Sequence, residues 1–166
     1  MRRTIRLKTY FPYKRYLLWK SITDSGLLGK WFMENDLVAE LNHEFTFHKD
    51  PQPGWDGMTY CKVTEIEPFQ KITYTYSGKA GGEKTLACAG IHSDRADKAV
   101  KGIFTQLNTV LSFTLITDCR GSCLILEHSG FKGFKQVIVS FVFGMGWKRQ
   151  MRKLRVLLDK LNTEET

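Results

Sequence analysis

The run from Gly146 to Leu161 constrains the fold more than any other stretch. Trp147, Met151, Leu154, Leu158 and Leu161 step by four, three, four and three, which aligns them along one stripe of an α-helix. Lys148, Arg149, Arg152, Lys153 and Arg155 fall largely on the other side. A helix divided in this way must have its apolar face covered, and the upstream segments supply the cover, because they alternate polar and apolar residues as strands do and are rich in aromatics. A curved antiparallel sheet wrapped around this one long helix is the economical arrangement. A sheet gripping a helix often leaves a pocket.

The segments that would form the sheet can be read in order. Thr4 to Tyr10 alternates, with Ile5 and Leu7 facing in. Pro12 suits a first helical turn, and Leu18, Trp19 and Ile22 give a helical apolar face. Asp24 or Ser25 can cap the next helix, in which Leu27, Leu28, Trp31 and Phe32 recur at helical spacing. After Asn35-Asp36 the pattern becomes period two: Phe45 and Phe47, then Met58 to Ile66 closed by Pro68, then Lys71 to Tyr76. Leu111, Phe113 and Leu115 share a face, a short turn follows at Asp118 to Gly121, and Leu124, Leu126 and His128 face in on the next strand while Glu127 points out. Between the Tyr76 and Leu111 strands, about residues 78–108 form an added segment. It is glycine-rich at first and then carries Ala96, Ala99, Val100, Ile103, Phe104 and Leu107 at helical spacing. These apolar residues need a cover, which the segment could find as a static flap over the sheet or as a lid over the pocket mouth.

Composition removes several function classes. A chain of 166 residues, 42% hydrophobic and 13% aromatic, can bury one sizeable core, so residues 1–166 are expected to form one domain. No secretory signal is visible, and the longest apolar run, Val137 to Met145, is interrupted by Ser140 and Gly144 and falls well short of the roughly 20 residues a spanning helix needs. The four cysteines, Cys61, Cys88, Cys119 and Cys123, lack the spacing of a disulfide scaffold or zinc finger, which fits a reducing, cytoplasmic setting. The net charge of +8 is a diffuse excess without a nucleic-acid motif, so no specific nucleic-acid partner is expected, although weak attraction to anionic surfaces is compatible with it. His43, His48 and His92 have no partner at metal spacing, and neither a phosphate loop nor a dinucleotide fingerprint occurs, so no metal and no cofactor are expected.

Several ordered motifs carry a resemblance. Leu17 to Asp24, Leu27 to Phe32, Pro53 to Gly57, Leu126 to Phe131 and the Gly146-Trp147 pair together resemble the family named after the activator of heat-shock protein 90 ATPase. That family is part of the START-like, or SRPBCC, helix-grip superfamily, which includes the birch-pollen allergen and polyketide cyclases. The resemblance spans roughly Thr9 to Leu161. It implies an α+β fold in which an antiparallel sheet of about seven strands clasps the C-terminal helix, with two short helices after the first strand. The family usually joins its fourth and fifth strands more briefly, so the resemblance does not account for the added segment. The eukaryotic co-chaperone of the family carries a further N-terminal domain. Here the helix-grip pattern starts within the first ten residues, so only the C-terminal type of domain is expected.

Three kinds of function follow. The leading expectation is a binding module, in which Trp31, Phe32, Trp55, Tyr74, Tyr76, Phe113, His128, Phe131, Phe143 and Trp147 line a cavity for a small hydrophobic or amphipathic molecule. The competing picture for the same rings is a filled core. A second kind is a chaperone co-factor, as the family name implies, with the chain a monomer or homodimer. The third is a cyclase or dehydratase with His128 and Tyr74 as acid and base. The plainer reading of His128 is a core histidine hydrogen-bonded to a neighbour, and Asp56 is read as bonding local amides in a turn beside Trp55.

Overall fold

The computed structural model describes residues 1–51, 56–78 and 107–165. Its elements are β1 (Arg2–Phe11), α1 (Arg15–Thr23), α2 (Ser25–Trp31), β2 (Glu34–Asn35), β3 (Glu44–His48), β4 (Met58–Glu67), β5 (Lys71–Ser77), β6 (Asn108–Asp118), β7 (Gly121–Lys132) and α3 (Phe134–Glu164). The strands form one seven-stranded sheet in the order β1-β7-β6-β5-β4-β3-β2, with every pair antiparallel. The helix-grip expectation is met. Residues 79–106, and with them the expected helix from Ala96, lie outside the described residues, as does Trp55.

Strand parity decides what the sheet offers to the helix. Thr109, Leu111, Phe113 and Leu115 on β6 and Ser122, Leu124, Leu126 and His128 on β7 are all buried, and register pairs Leu111 with His128 and Phe113 with Leu126. Ile72, Tyr74 and Tyr76 extend the same inner face onto β5, and Phe45 and Phe47 extend it onto β3. On the helix side Trp147, Met151, Leu154 and Leu158 are buried as their spacing requires, while Leu161 is half-buried at the end of the stripe.

Local chemistry fixes the boundaries. Asp24 ends α1 and caps α2, its carboxylate accepting from the Leu27 backbone N–H at 2.9 Å. Asp118 does the same for the β6–β7 turn, accepting from the N–H groups of Arg120 and Gly121. Gly133 joins β7 to α3 at φ 83°, ψ 160°, a backbone region that is essentially glycine-only. Asp56 accepts from the Met58 N–H at 3.0 Å, the local amide bond its turn position suggests.

One boundary differs from expectation. The last helix opens at Phe134 rather than at Gly146. Gly144 and Gly146 each cost a helix about 1 kcal/mol relative to alanine, yet they do not break it. Packing of Ser140, Phe143 and Trp147 against the sheet outweighs that cost. The C-terminal half is clamped as well: the Arg155 guanidinium donates to the Tyr10 carbonyl at 2.6 Å and lies over the Phe11 ring, and the Tyr13 hydroxyl donates to Asp159.

Leu154 is fully buried at the centre of this contact. Leu154→Asp should cost on the order of 5 kcal/mol by leaving a carboxylate without a partner in an apolar interface. The melting temperature, followed by circular dichroism, should then fall by about 10 to 20 °C. Melting at the parental temperature would contradict the packing of α3 on the sheet.

Candidate functional site

Nine of the ten residues expected to line a cavity come together in one network of rings between the sheet and α3. Phe32, at the end of α2, stacks on Trp147 with centroids 4.9 Å apart and meets Phe47 edge-on at 4.8 Å. Phe113 touches both Trp31 and Trp147, and Tyr74 lies against Phe45 at 5.0 Å and Phe47 at 6.0 Å. At the other end, Tyr76, Phe131, Phe143 and Trp147 surround His128, with Phe131 closest at 4.7 Å. Phe32 and Phe143 remain half-buried, whereas Trp31, Tyr74, Phe113, Phe131 and His128 are buried. A separate concavity of about 360 Å³ on the outward side of β3, β4 and β5, lined by Asp36, Glu44, Thr46, Tyr60, Lys62 and Thr75 among others, contains none of the nine.

His128 is held by both ring nitrogens. The Trp147 indole N–H donates to its Nδ1 at 3.1 Å. Its Nε2 lies 2.8 Å from the Thr109 hydroxyl, which donates its own proton to the Tyr76 carbonyl at 2.7 Å. Thr109 therefore accepts, and Nε2 carries the proton. This arrangement satisfies the neutral imidazole and leaves no place for a second proton, because a protonated Nδ1 would face the indole N–H. Burial agrees, lowering the pKa to about 3.

Tyr74 is the opposite case. Its side chain is completely buried, yet its hydroxyl makes no hydrogen bond among the described residues. Burial above all, then the nearby Cys61 and Tyr76, push the phenol well above the usual tyrosine range, so it stays protonated and able to donate. An unmet buried hydroxyl costs about 1–3 kcal/mol. Among the described residues, no three His, Cys, Asp or Glu side chains converge as metal ligands would.

Three participants, Phe45, Phe47 and Thr109, are missing from the sequence expectation. Phe47 bridges Phe32 to Tyr74, and its alternation with Phe45 marks it only as a strand residue. Thr109 has a usable signal, since it shares the parity of Leu111 and Phe113, but it lies beside the added segment.

This geometry can be set against known proteins. Residues 12–159 match the family described as Activator of Hsp90 ATPase homolog 1-like protein. The chain belongs to that family. A crystal structure of a Mesorhizobium loti protein is similar at 29% identity and a TM-score of 0.73, covering 95% of this chain and 98% of that one. A Bacillus halodurans protein structure matches at 23% identity and a TM-score of 0.67, over 95% and 99% of the two chains. The Aha1 dimer from Colwellia psychrerythraea shares the fold at 15% identity and a TM-score of 0.65, over 94% and 96%. No curated protein matches the sequence. At this level the family fold supports a ligand-binding or interaction domain. Among the described residues no helix is long and apolar enough to cross a membrane.

The neutral lock on His128 has a pH signature. Its folded-state pKa lies below the unfolded value of about 6.5, so the unfolded chain takes up the proton first as pH falls. Stability from this residue should be complete above about pH 6.5 and decline toward pH 3 by at most about 1.4 kcal/mol per unit. His128→Gln should flatten the melting temperature against pH relative to the parent over that window. Parallel curves for the two proteins would contradict a buried neutral imidazole.

Proposed function

We propose that the protein holds a small hydrophobic or amphipathic molecule between the sheet and α3, with the aromatic network as the apolar wall and the Tyr74 hydroxyl as the donor to one polar group on the ligand. The observation that carries this reading is the buried Tyr74 hydroxyl, unpartnered among the described residues and set amid the rings of Phe45, Phe47 and Phe113. Evolution of a simple filled core would favour phenylalanine here, because the oxygen costs stability and gains no bond. A ligand acceptor would recover that cost. Phe32 and Phe143, the half-buried members, mark the side from which a ligand reaches the rings.

The enzyme alternative fits the site less well. A cyclase or dehydratase needs a group that exchanges protons near neutral pH, and His128 is held neutral by Trp147 and Thr109 while Tyr74 keeps its proton. Contact with a chaperone is a second reading, supported by the family description and by the basic outward face of α3. Pairing with a second copy has support only from the Colwellia relative, an Aha1 dimer.

The test compares 1-naphthol with 1-methylnaphthalene, two compounds of similar shape that differ in a polar group. Both should raise the melting temperature by binding the native state, with naphthol the more effective. Tyr74→Phe should stabilise the free protein by about 1 kcal/mol, or about 2 to 4 °C. It should also lower the preference for naphthol about tenfold. If neither compound shifts the parent, or if Tyr74→Phe leaves the preference intact, the reading is wrong.

A further inference from the structure

The N-terminal half of α3 presents a surface that the ring network does not use. Phe134, Ile138, Phe141, Val142 and Met145 are 70%, 51%, 58%, 62% and 66% exposed. Their spacing of four, three, one and three places them along one outward stripe of the helix. An exposed row of five large apolar side chains is a marked departure from an ordinary helix surface. Further along the helix the same outward direction becomes basic, with Arg149, Arg152 and Lys153 exposed.

Charge gives the second observation. Between Glu127 and Asp159 the sequence contains no acidic residue, while Lys132, Lys135, Lys148, Arg149, Arg152, Lys153 and Arg155 are basic. Lys132 and Lys135 flank the start of the apolar stripe, and Lys148 and Arg149 lie just beyond its end. Arg2 and Arg3 of β1 add to the first group, since β1 pairs Arg2 with Lys132, and the Arg3 guanidinium lies 3.4 Å from the centroid of Phe141. The stripe is thus bracketed by cations at both ends, with no carboxylate on its own helix until Asp159.

We propose that this face of α3 docks on the surface of an anionic lipid bilayer, with the apolar stripe entering the headgroup boundary and the flanking lysines and arginines meeting lipid phosphates. A helix that is apolar on one face and rich in Lys and Arg beside it binds in this way, gaining from buried apolar area and from attraction to anionic lipid together. A second copy of the chain is the poorer occupant. Self-pairing of these faces would bring two helix segments with only positive charge into contact, and like charges across an interface oppose association. The docking requires no spanning helix and is independent of whether the grip holds a ligand.

The test is flotation of the full-length protein with vesicles of equimolar phosphatidylglycerol and phosphatidylcholine, with pure phosphatidylcholine vesicles as the contrast. The protein should float with the mixed vesicles, at least tenfold more tightly than with the neutral ones, and high salt should release it. Phe141→Ser with Val142→Ser, and separately Lys135→Glu with Lys148→Glu, should each weaken binding at least tenfold, with melting temperatures close to the parent because these side chains are exposed. Failure of the parent to float with anionic vesicles overturns the proposal. So does a large fall in melting temperature for the Phe141/Val142 variant, which would mean that the stripe is covered within the chain. A concentration-dependent dimer abolished by that variant would assign the face to a second copy and equally overturn it.

Discussion

The hydrogen bond from the Trp147 indole to His128 sets how the helix lies on the sheet. Apolar burial drives α3 onto the concave face, but it has no direction, and a leucine stripe tolerates some sliding and rotation. A buried N–H and a buried imidazole nitrogen do not tolerate it, because separation would leave both unsatisfied. The bond extends into the sheet through Thr109 to the backbone of Tyr76, so one polar chain connects α3, β7, β6 and β5. The placement of Phe32 and Phe113 against the indole follows from it.

That chain and the Tyr74 hydroxyl divide the polar groups of the interior into two kinds. His128 has both ring nitrogens hydrogen-bonded in the middle of an aromatic cluster. Tyr74, a few rings away, has a hydroxyl with no hydrogen bond among the described residues. Among the described residues the interior thus contains a finished polar link at His128 and a hydroxyl without a hydrogen bond at Tyr74. Versatility in a histidine depends on an unoccupied nitrogen and on access to protons, and the bonds to Trp147 and Thr109 occupy both nitrogens of His128.

Much of this is legible in the sequence, and the exceptions have physical reasons. Alternation places Leu111, Phe113, Leu126 and His128 on the inner face, and helical spacing places Trp147, Met151, Leu154 and Leu158 against it. The start of α3 is hidden because Val137 to Met145 is apolar on nearly every side, so no periodicity separates helix from strand, and because Gly144 and Gly146 look like a break. In the fold, part of that run faces the sheet and part faces outward. Parity places Tyr74, Tyr76, Phe113 and His128 in the gathering, and helical spacing places Trp31, Phe32 and Trp147, whereas Phe131 is buried against the alternation of its strand. The protonation state of His128 is not, since it depends on Trp147, which is distant in sequence, and on the direction in which Thr109 donates. Tyr74 is visible as an inward tyrosine, but whether its hydroxyl finds a partner is decided only when all the neighbours are in place. Trp55 lies outside the described residues.

The pairing of β1 with β7 carries a consequence for the order of events in folding. A strand near the start of the chain finds its hydrogen-bonding partner only beyond residue 120, so the first ten residues emerge from the ribosome long before they can join the sheet. Contacts of such large sequence separation form late, and an unpaired strand is a template for unwanted pairing while it waits. Arg2, Arg3, Arg6 and Lys8 give this strand a charge at nearly every second position, which is how waiting edges are kept from pairing with one another. Among the described residues β1 is still an edge of the finished sheet, so the same four cations that protect the nascent chain continue to protect the folded one.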